Sequence, residues 1–293
     1  MSSGRLEGRV AIVTGGGRGI GAAVARAFAS EGAMVTVSDA GVAMDGSGGD
    51  GTPAQQVVDA IANAGGTASA DATDVTDHAA CGRLVESTVD RYGRLDILVN
   101  TAGILRDRMI FNLGEDDWDA VIGVHLKGTY NTVHHASRYW REKREGDYRL
   151  INFTSGSGLF GAPGQPNYAA AKMGVVGLTL SCANSLNRYG VNSNAIAPVA
   201  GTRMTIDQRP DVYSAALMAP ENVAPAVVYL ASVDSGWLNG RVVWAGGGRI
   251  GLVRNPEIER EVMSREPWDN DRVFAEFETT FRPAVEARGT VAG

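Results

Sequence analysis

The sequence predicts an α/β fold in which seven parallel strands form a doubly wound sheet with helices on both faces. Three observations predict it. Short runs of β-prone apolar residues alternate with longer runs at helical spacing. The first strand-like run leads straight into a glycine-rich turn and then a helical run, the context in which a glycine motif carries meaning. The chain of 293 residues is 44% hydrophobic and 20% charged, so it can bury a sizeable core.

The elements follow in order. Val10–Thr14 reads as a buried strand. The turn Gly15–Gly21 and a helix from Ala22 to Ser30 come next. Glycines there allow a tight turn and close approach of backbone to a ligand, and the helix N-terminus offers free N–H groups to a pyrophosphate. Met34–Ser38 is a second strand, closed by Asp39. A carboxylate at that place accepts hydrogen bonds from an adenosine 2′-hydroxyl and repels a 2′-phosphate, which favours NAD over NADP. A strand-end acid capping a turn is the plainer role. Gly41–Thr52 reads as an extended, mobile surface loop. A helix is predicted over Pro53–Ala64 and a strand over Thr67–Ala70. Asp74 and Val75 then stand where they can flank an adenine, unless Asp74 caps the helix predicted over Asp77–Tyr92.

Leu95–Asn100 is a strongly apolar strand ending in Thr101-Ala102-Gly103, so Asn100 closes a central strand. Glu115–Lys143 reads as one long helix with Trp118, Val121, Ile122, Leu126, Tyr130 and Val133 in its apolar pattern. Arg149–Phe153 and Val191–Ile196 are further strands. The segment from Ala197 to about Pro220 is a long loop of the kind that lids a site. A helix over Pro220–Ser232 and a last strand over Gly240–Trp244 complete a domain spanning residues 1–250. Residues 251–293 form a charged extension, with Val273, Phe274, Phe277 and Phe281 at helical spacing across Asp271–Phe281. It is expected to dock on the same domain or on a neighbouring subunit.

The stretch Asn152–Leu178 carries Ser155 and then Tyr168-x-x-x-Lys172. If Asn167 opens a helix, Tyr168 and Lys172 lie one turn apart on the same face. A tyrosine titrates at about 10 when free, and an adjacent ammonium favours its phenolate. A hydroxyl such as Ser155 can hold a substrate oxygen beside it. Taken alone, such a pair is usually a packed ring beside a solvated amine. The glycine turn, Asp39, Asn100, Ser155 and the loop at Pro198 all fall at strand ends, however, and this gives the pair a site to serve.

The net charge of −6 argues against nucleic acid and anionic membrane as partners. No apolar run has the length of a membrane span. The first residues hold no signal-peptide core, and Cys81 and Cys182 give no disulfide framework, so a cytoplasmic location is expected. His78, His125, His134 and His135 form no metal-ligand pattern, and no metal is expected.

Together, Thr14-Gly15-x-x-x-Gly19-x-Gly21, Asn100-x-Ala102-Gly103, Ser155 and Tyr168-x-x-x-Lys172 resemble the short-chain dehydrogenase/reductase family over about Gly8 to Gly248. The resemblance implies a single Rossmann-like domain and a homodimer or homotetramer packed through two long helices. It implies an enzyme that interconverts a secondary alcohol and a ketone. Tyr168 would be the acid/base, Ser155 would orient the substrate oxygen, and Lys172 would hold the nicotinamide ribose. The dinucleotide site would comprise Gly15, Arg18, Gly19, Ile20 and Gly21, then Asp39, Asp74, Val75, Asn100, Ala102 and Gly103, with Tyr168, Lys172, Pro198 and Thr202.

Two positions depart from the family pattern. Thr101 replaces a second asparagine, and His125 stands where an asparagine usually completes the catalytic set. Val124-His125-Leu126, the glycine loop after Asp39, Ile196–Thr205 and Arg249–Arg254 are similar to the (3R)-hydroxyacyl-CoA dehydrogenase branch of multifunctional enzymes and their bacterial relatives. That implies a 3-hydroxyacyl-CoA of lipid or steroid origin as substrate. Arg106, Arg108, Arg203, Arg249 and Arg254 are candidate cations for its phosphates. The alternatives are a hydroxysteroid or other carbonyl enzyme without CoA, an NADPH-dependent 3-oxoacyl-carrier reductase, and a non-catalytic nucleotide sensor.

Overall fold

The computed structural model describes residues 4–144, 146–202, 211 and 216–287. Seven strands run parallel: β1 (Val10–Thr14), β2 (Met34–Ser38), β3 (Thr67–Asp71), β4 (Ile97–Asn100), β5 (Tyr148–Phe153), β6 (Val191–Val199) and β7 (Val242–Gly246). The sheet order is β3-β2-β1-β4-β5-β6-β7, extended by an antiparallel strand β8 (Arg249–Val253). Strand order reverses between β1 and β4, the crevice where open α/β sheets bind ligands. Every residue of β1, β4 and β5 is buried, as expected for strands covered on both faces.

The eighth strand corrects the expected count. The boundary expected after residue 250 falls inside this strand. Gly246, Gly247 and Gly248 all have positive φ, at 115°, 58° and 74°. Such backbone suits a tight reversal, so the chain folds back and Arg249 pairs with Gly246.

Among the described residues, the helices of the first unit are α1 (Gly19–Ser30), α2 (Thr52–Asn63), α3 (His78–Tyr92), α4 (Glu115–Ile122), α5 (Gly128–Lys143), α6 (Gly156–Phe160), α7 (Pro166–Leu186) and α8 (Ala224–Ala231). α4 and α5 are joined by a π turn at Gly123–Lys127, so the long helix is continuous but locally widened. α7 opens at Pro166, one residue ahead of Asn167, and Gln165 is its N-cap position. The expected Pro220 helix divides into a 3₁₀ turn at Pro220–Asn222 followed by α8.

Two core clusters position the site. One packs α1, α2 and α8 on the sheet around Phe28, Val35 and Val227. The other packs α3, α5 and α7 around Leu84, Trp140 and Leu150. Trp140 is fully buried and donates from its indole to the Leu95 carbonyl at 2.9 Å.

The compact units divide between Arg254 and Asn255. Taken by itself, the C-terminal unit holds α9 (Asn270–Glu276), a π turn at Phe277–Phe281 and α10 (Arg282–Glu286). Asp269 caps α9 by accepting from the Arg272 amide at 2.9 Å.

Candidate active site

The carboxyl ends of the central strands lie level, because Thr14 pairs with Ser38 and with Asn100, and Asn100 pairs with Asn152. The residues that follow each strand therefore converge on one cleft of about 620 Å³.

The glycine turn forms one wall. Gly15 has φ of 63°, and a Cβ there would stand 2.7 Å from the backbone of Ala102. A Cβ on Gly21 would meet the Gly15 carbonyl oxygen at 2.2 Å. Only glycine lets the turn close against the end of β4 and begin α1 with its amides toward the cleft. Gly15, Arg18, Gly19, Ile20 and Gly21 all line that cleft, so the cradle fits a pyrophosphate. Thr101, the departure from the family pattern, donates from its hydroxyl to the Thr14 carbonyl at 2.5 Å and so ties β4 to β1.

Asp39 lines the next part. Its carboxylate accepts from the Gly17 amide at 2.9 Å and from the Gly41 amide at 2.8 Å. It thus braces the glycine turn, the plainer of its two roles, while still facing the cleft. The loop after it is tethered. Arg18 donates to the Val42 carbonyl at 2.9 Å, the Leu105 amide to the Met44 carbonyl at 3.0 Å, and Arg106 to the Asp45 carbonyl at 2.9 Å. These three hydrogen bonds tie the loop to the glycine turn and to the segment after β4. Asp74 and Val75 line the cleft as well, and the cap of α3 is Asp77, which accepts from the Ala80 amide at 3.0 Å.

Asn100 does not line the cleft. Buried at the end of β4, it donates to Asn152 at 2.9 Å and accepts from Thr132 at 2.7 Å, a tie among β4, β5 and α5. Ala102 and Gly103 do line it, with Pro198 and Thr202 opposite. The lid expected up to Pro220, with Arg203, falls mostly outside the described residues.

Ser155 ends the β5 segment and caps α6, accepting from the Gly158 amide at 2.9 Å. The Ser155 hydroxyl also acts to lower the pKa of the Tyr168 phenol. Lys172 stands one turn along α7, with its ammonium 5.7 Å from the Tyr168 ring centroid. It donates to the Phe153 carbonyl at 2.7 Å.

The electrostatics differ from the expectation that Lys172 lowers the phenol pKa. Burial pushes Tyr168 up to about 12, against the hydrogen bond from Ser155 and with the Asp107 charge adding to the rise. Burial also pushes Lys172 down to about 7. Desolvation disfavours each charged form in the same low-dielectric pocket.

His125 lies on the π turn with only 1% of its surface exposed. Its Nε2 is 2.8 Å from the Ile104 carbonyl oxygen and 3.2 Å from the Ile104 amide, while its Nδ1 is buried without a partner. Its ring meets the Tyr168 ring edge-on at 5.0 Å between centroids. Burial, with Lys172 nearby, holds its pKa well below the usual histidine range, so it is neutral. A Cβ on Gly103 would stand 2.4 Å from the imidazole. Gly103→Ala is therefore expected to displace His125 and to cost about 1–3 kcal/mol of stability, read by denaturant unfolding.

Some cleft residues had no signal in the sequence. Thr154 lines the cleft and donates to the Lys172 carbonyl at 2.8 Å, which fixes α7 to β5. Asp119 and Ala120 of α4, and Gly123 and Val124 of the π turn, also line the cleft. Among the candidate cations, Arg106 lines the cleft but is paired with Asp117 at 3.4 Å, and Arg108 and Arg249 are exposed. The three other histidines, His78, His134 and His135, cluster by ring contact on α3 and α5, and no metal-binding group occurs among the described residues. Cys81 and Cys182 are buried, with thiols pushed up to about 12 and about 11.

Comparison with known proteins gives a consistent picture. Residues 9–212 match the family model for short chain dehydrogenases. The chain is 42% identical to a hydroxyacyl-CoA dehydrogenase, ChsB1, of Mycobacterium tuberculosis, covering 92% of this chain and 87% of that protein. It is 44% identical over 77% of its length to the peroxisomal multifunctional enzyme type 2 of Drosophila melanogaster, of which the match spans 37%. A crystal structure of a short chain dehydrogenase from Mycobacterium avium superposes with a TM-score of 0.83 at 46% identity, covering 97% of this chain and 95% of that one. The chain belongs to the short chain dehydrogenase family, and it is an oxidoreductase that works with a nicotinamide cofactor.

Proposed function

We propose that the protein is an NAD-dependent dehydrogenase that interconverts a 3-hydroxyacyl-CoA, of lipid or steroid origin, and its 3-oxoacyl-CoA. The observation that carries the chemistry is the grouping of Ser155, Tyr168 and Lys172 beside the glycine turn. When bound, the nicotinamide supplies the hydride acceptor or donor. Tyr168 exchanges the proton of the substrate oxygen, which Ser155 holds in place. Lys172 would hold the nicotinamide ribose, and Gly15–Gly21, Asp39, Val75 and Thr202 would hold the rest of the dinucleotide. His125 acts as a neutral support for the tyrosine rather than as an acid. Asp39 supports NAD over NADP, because it lines the cleft and a carboxylate after the second strand disfavours a 2′-phosphate. The named activity of the M. tuberculosis relative supports the CoA ester. The enzyme works in the cytoplasm as a homodimer or homotetramer.

A turnover screen tests this reading. 3-Hydroxyacyl-CoA esters with NAD+ are expected to be oxidised with higher kcat/KM than free 3-hydroxy acids, truncated thioesters or free hydroxysteroids. Preference for a free hydroxysteroid would favour the reading without CoA, and preference for NADPH would favour a carrier reductase.

A further inference from the structure

Asp107 follows β4 and lies outside the sites assigned above. Its Oδ2 accepts from the Gln165 side-chain amide at 2.8 Å. The Gln165 side-chain oxygen in turn accepts from the Ser157 hydroxyl at 2.7 Å. Gln165 leads into α7 three residues before Tyr168, and Ser157 lies two residues after Ser155. The chain of bonds therefore joins the serine turn, the start of the tyrosine helix and the segment after β4. Asn167 holds the same segment a second time, donating to the carbonyls of Arg106 at 3.1 Å and Asp117 at 3.2 Å.

The other carboxylate oxygen of Asp107 is the unusual feature. Oδ1 is buried and has no hydrogen-bond partner. Neither flanking arginine neutralises the carboxylate. Arg106 is directed to the Asp45 carbonyl and the Asp117 carboxylate, and Arg108 donates to the backbone carbonyl of Asp107. A buried carboxylate oxygen without a donor is costly to keep. A tether to Gln165 alone would be served as well by an uncharged amide.

We propose that Asp107 is a positioning residue of the reaction: through Gln165 and Ser157 it sets Tyr168 against Ser155, and its unneutralised charge opposes the phenolate. The proposal rests on the reading of Tyr168 as the proton-exchanging group. Lys172 on its own helix and His125 from the π turn lie against the Tyr168 ring, and the Asp107 charge, held to the start of α7 through Gln165, acts on the phenol from the segment after β4. α4 adds Asp119 to the cleft wall, and Asp117, which is paired with Arg106. His125 is neutral and Lys172 is held down by burial, so Asp107 is the charge that adds to burial in keeping the phenol protonated. A protonated phenol donates to a ketone oxygen in reduction. In oxidation the proton of the alcohol passes to the phenolate, and Asp107 makes that form scarcer. Asp107 thereby tilts the site toward reduction at a given pH.

The test is the pH profile of kcat/KM in both directions for wild type and Asp107→Asn, with cofactor affinity measured by fluorescence titration. The variant is expected to bind cofactor as wild type does. Its acid limb for oxidation should move down by roughly half a unit to one unit, so that kcat/KM on that limb rises roughly three- to tenfold. The limb for reduction should move down by the same amount. If Asp107→Asn does not fold, Gln165→Leu frees the carboxylate to hydrate and should give a smaller shift of the same sign. Unshifted limbs, with a uniform fall in rate, would make Asp107 a structural brace and overturn the proposal. Profiles are taken with the secondary alcohol that wild type oxidises fastest, so failure of the CoA assignment leaves this test intact. A limb that persists in Tyr168→Phe would overturn the tyrosine assignment instead.

Discussion

Tyr168→Phe is expected to lower turnover by about a hundredfold to ten-thousandfold, the range general acid–base groups supply, while cofactor affinity stays near wild type. The Tyr168 side chain is half-buried and its ring packs edge-on against His125. Phenylalanine keeps the ring and its edge contact with the imidazole, so the pocket retains its shape. What disappears is the oxygen that exchanges a proton with substrate. Because burial pushes the phenol up to about 12, the cofactor-free site holds it protonated at neutral pH. Oxidation should therefore speed up as pH rises, while reduction should hold level until pH nears the phenol pKa. Steady-state rates in both directions, with cofactor titration by fluorescence, check this. Retention of most of the turnover would remove Tyr168 from the chemistry.

The second large effect concerns stability. Lys172 is held down to about 7 by burial, against an ordinary value of 10.5. A depressed cationic group contributes stability above its unfolded pKa and loses it as pH falls through the folded one. Between about pH 7 and pH 10 the unfolded chain holds a proton that the folded protein does not. Cofactor-free wild type should then gain stability as pH rises, with a slope approaching about 1.4 kcal/mol per unit. Lys172→Met should flatten that slope and become relatively more stable toward pH 7, less about 1–3 kcal/mol for the Phe153 carbonyl left without its donor. It should also lose turnover. Urea unfolding at several pH values reads the difference, and parallel slopes for the two proteins would refute a buried, near-neutral lysine. Stability and activity then oppose each other at one residue, as is common where function needs a buried charge.

Much of the sheet was legible because its signals are local. Val10–Thr14, Met34–Ser38 and Leu95–Asn100 are apolar runs bounded by turns, and β1 and β2 have the predicted bounds. The glycine turn was legible because steric closure at Gly15 and Gly21 admits no side chain. The hairpin into β8 was not, since a glycine run reads equally as a reversal or as a linker. The burial of the long helix was also misjudged. Trp118 and Tyr130 belong to its apolar pattern, yet they are 37% and 47% exposed, while Val121 and Val133 are buried. A single helical period cannot place both halves when a π turn intervenes. Asn100 illustrates a different limit: its position at a strand end was plain, but its bonds to Asn152 and Thr132 depend on contacts 52 and 32 residues away.

That π turn amounts to one inserted residue between two registers of the same helix. Each residue turns an α-helix by about 100°, so removing one residue from Gly123–Lys127 would restore a regular helix and rephase one half against the other. Either α4 would swing Asp119 and Ala120 away from the cleft, or α5 would lose the bond from Asn131 to the Val75 carbonyl at 2.8 Å. The helix works as a mechanical coupling with a fixed phase offset, and that offset lets one rod face the core at one end and the reacting groups at the other.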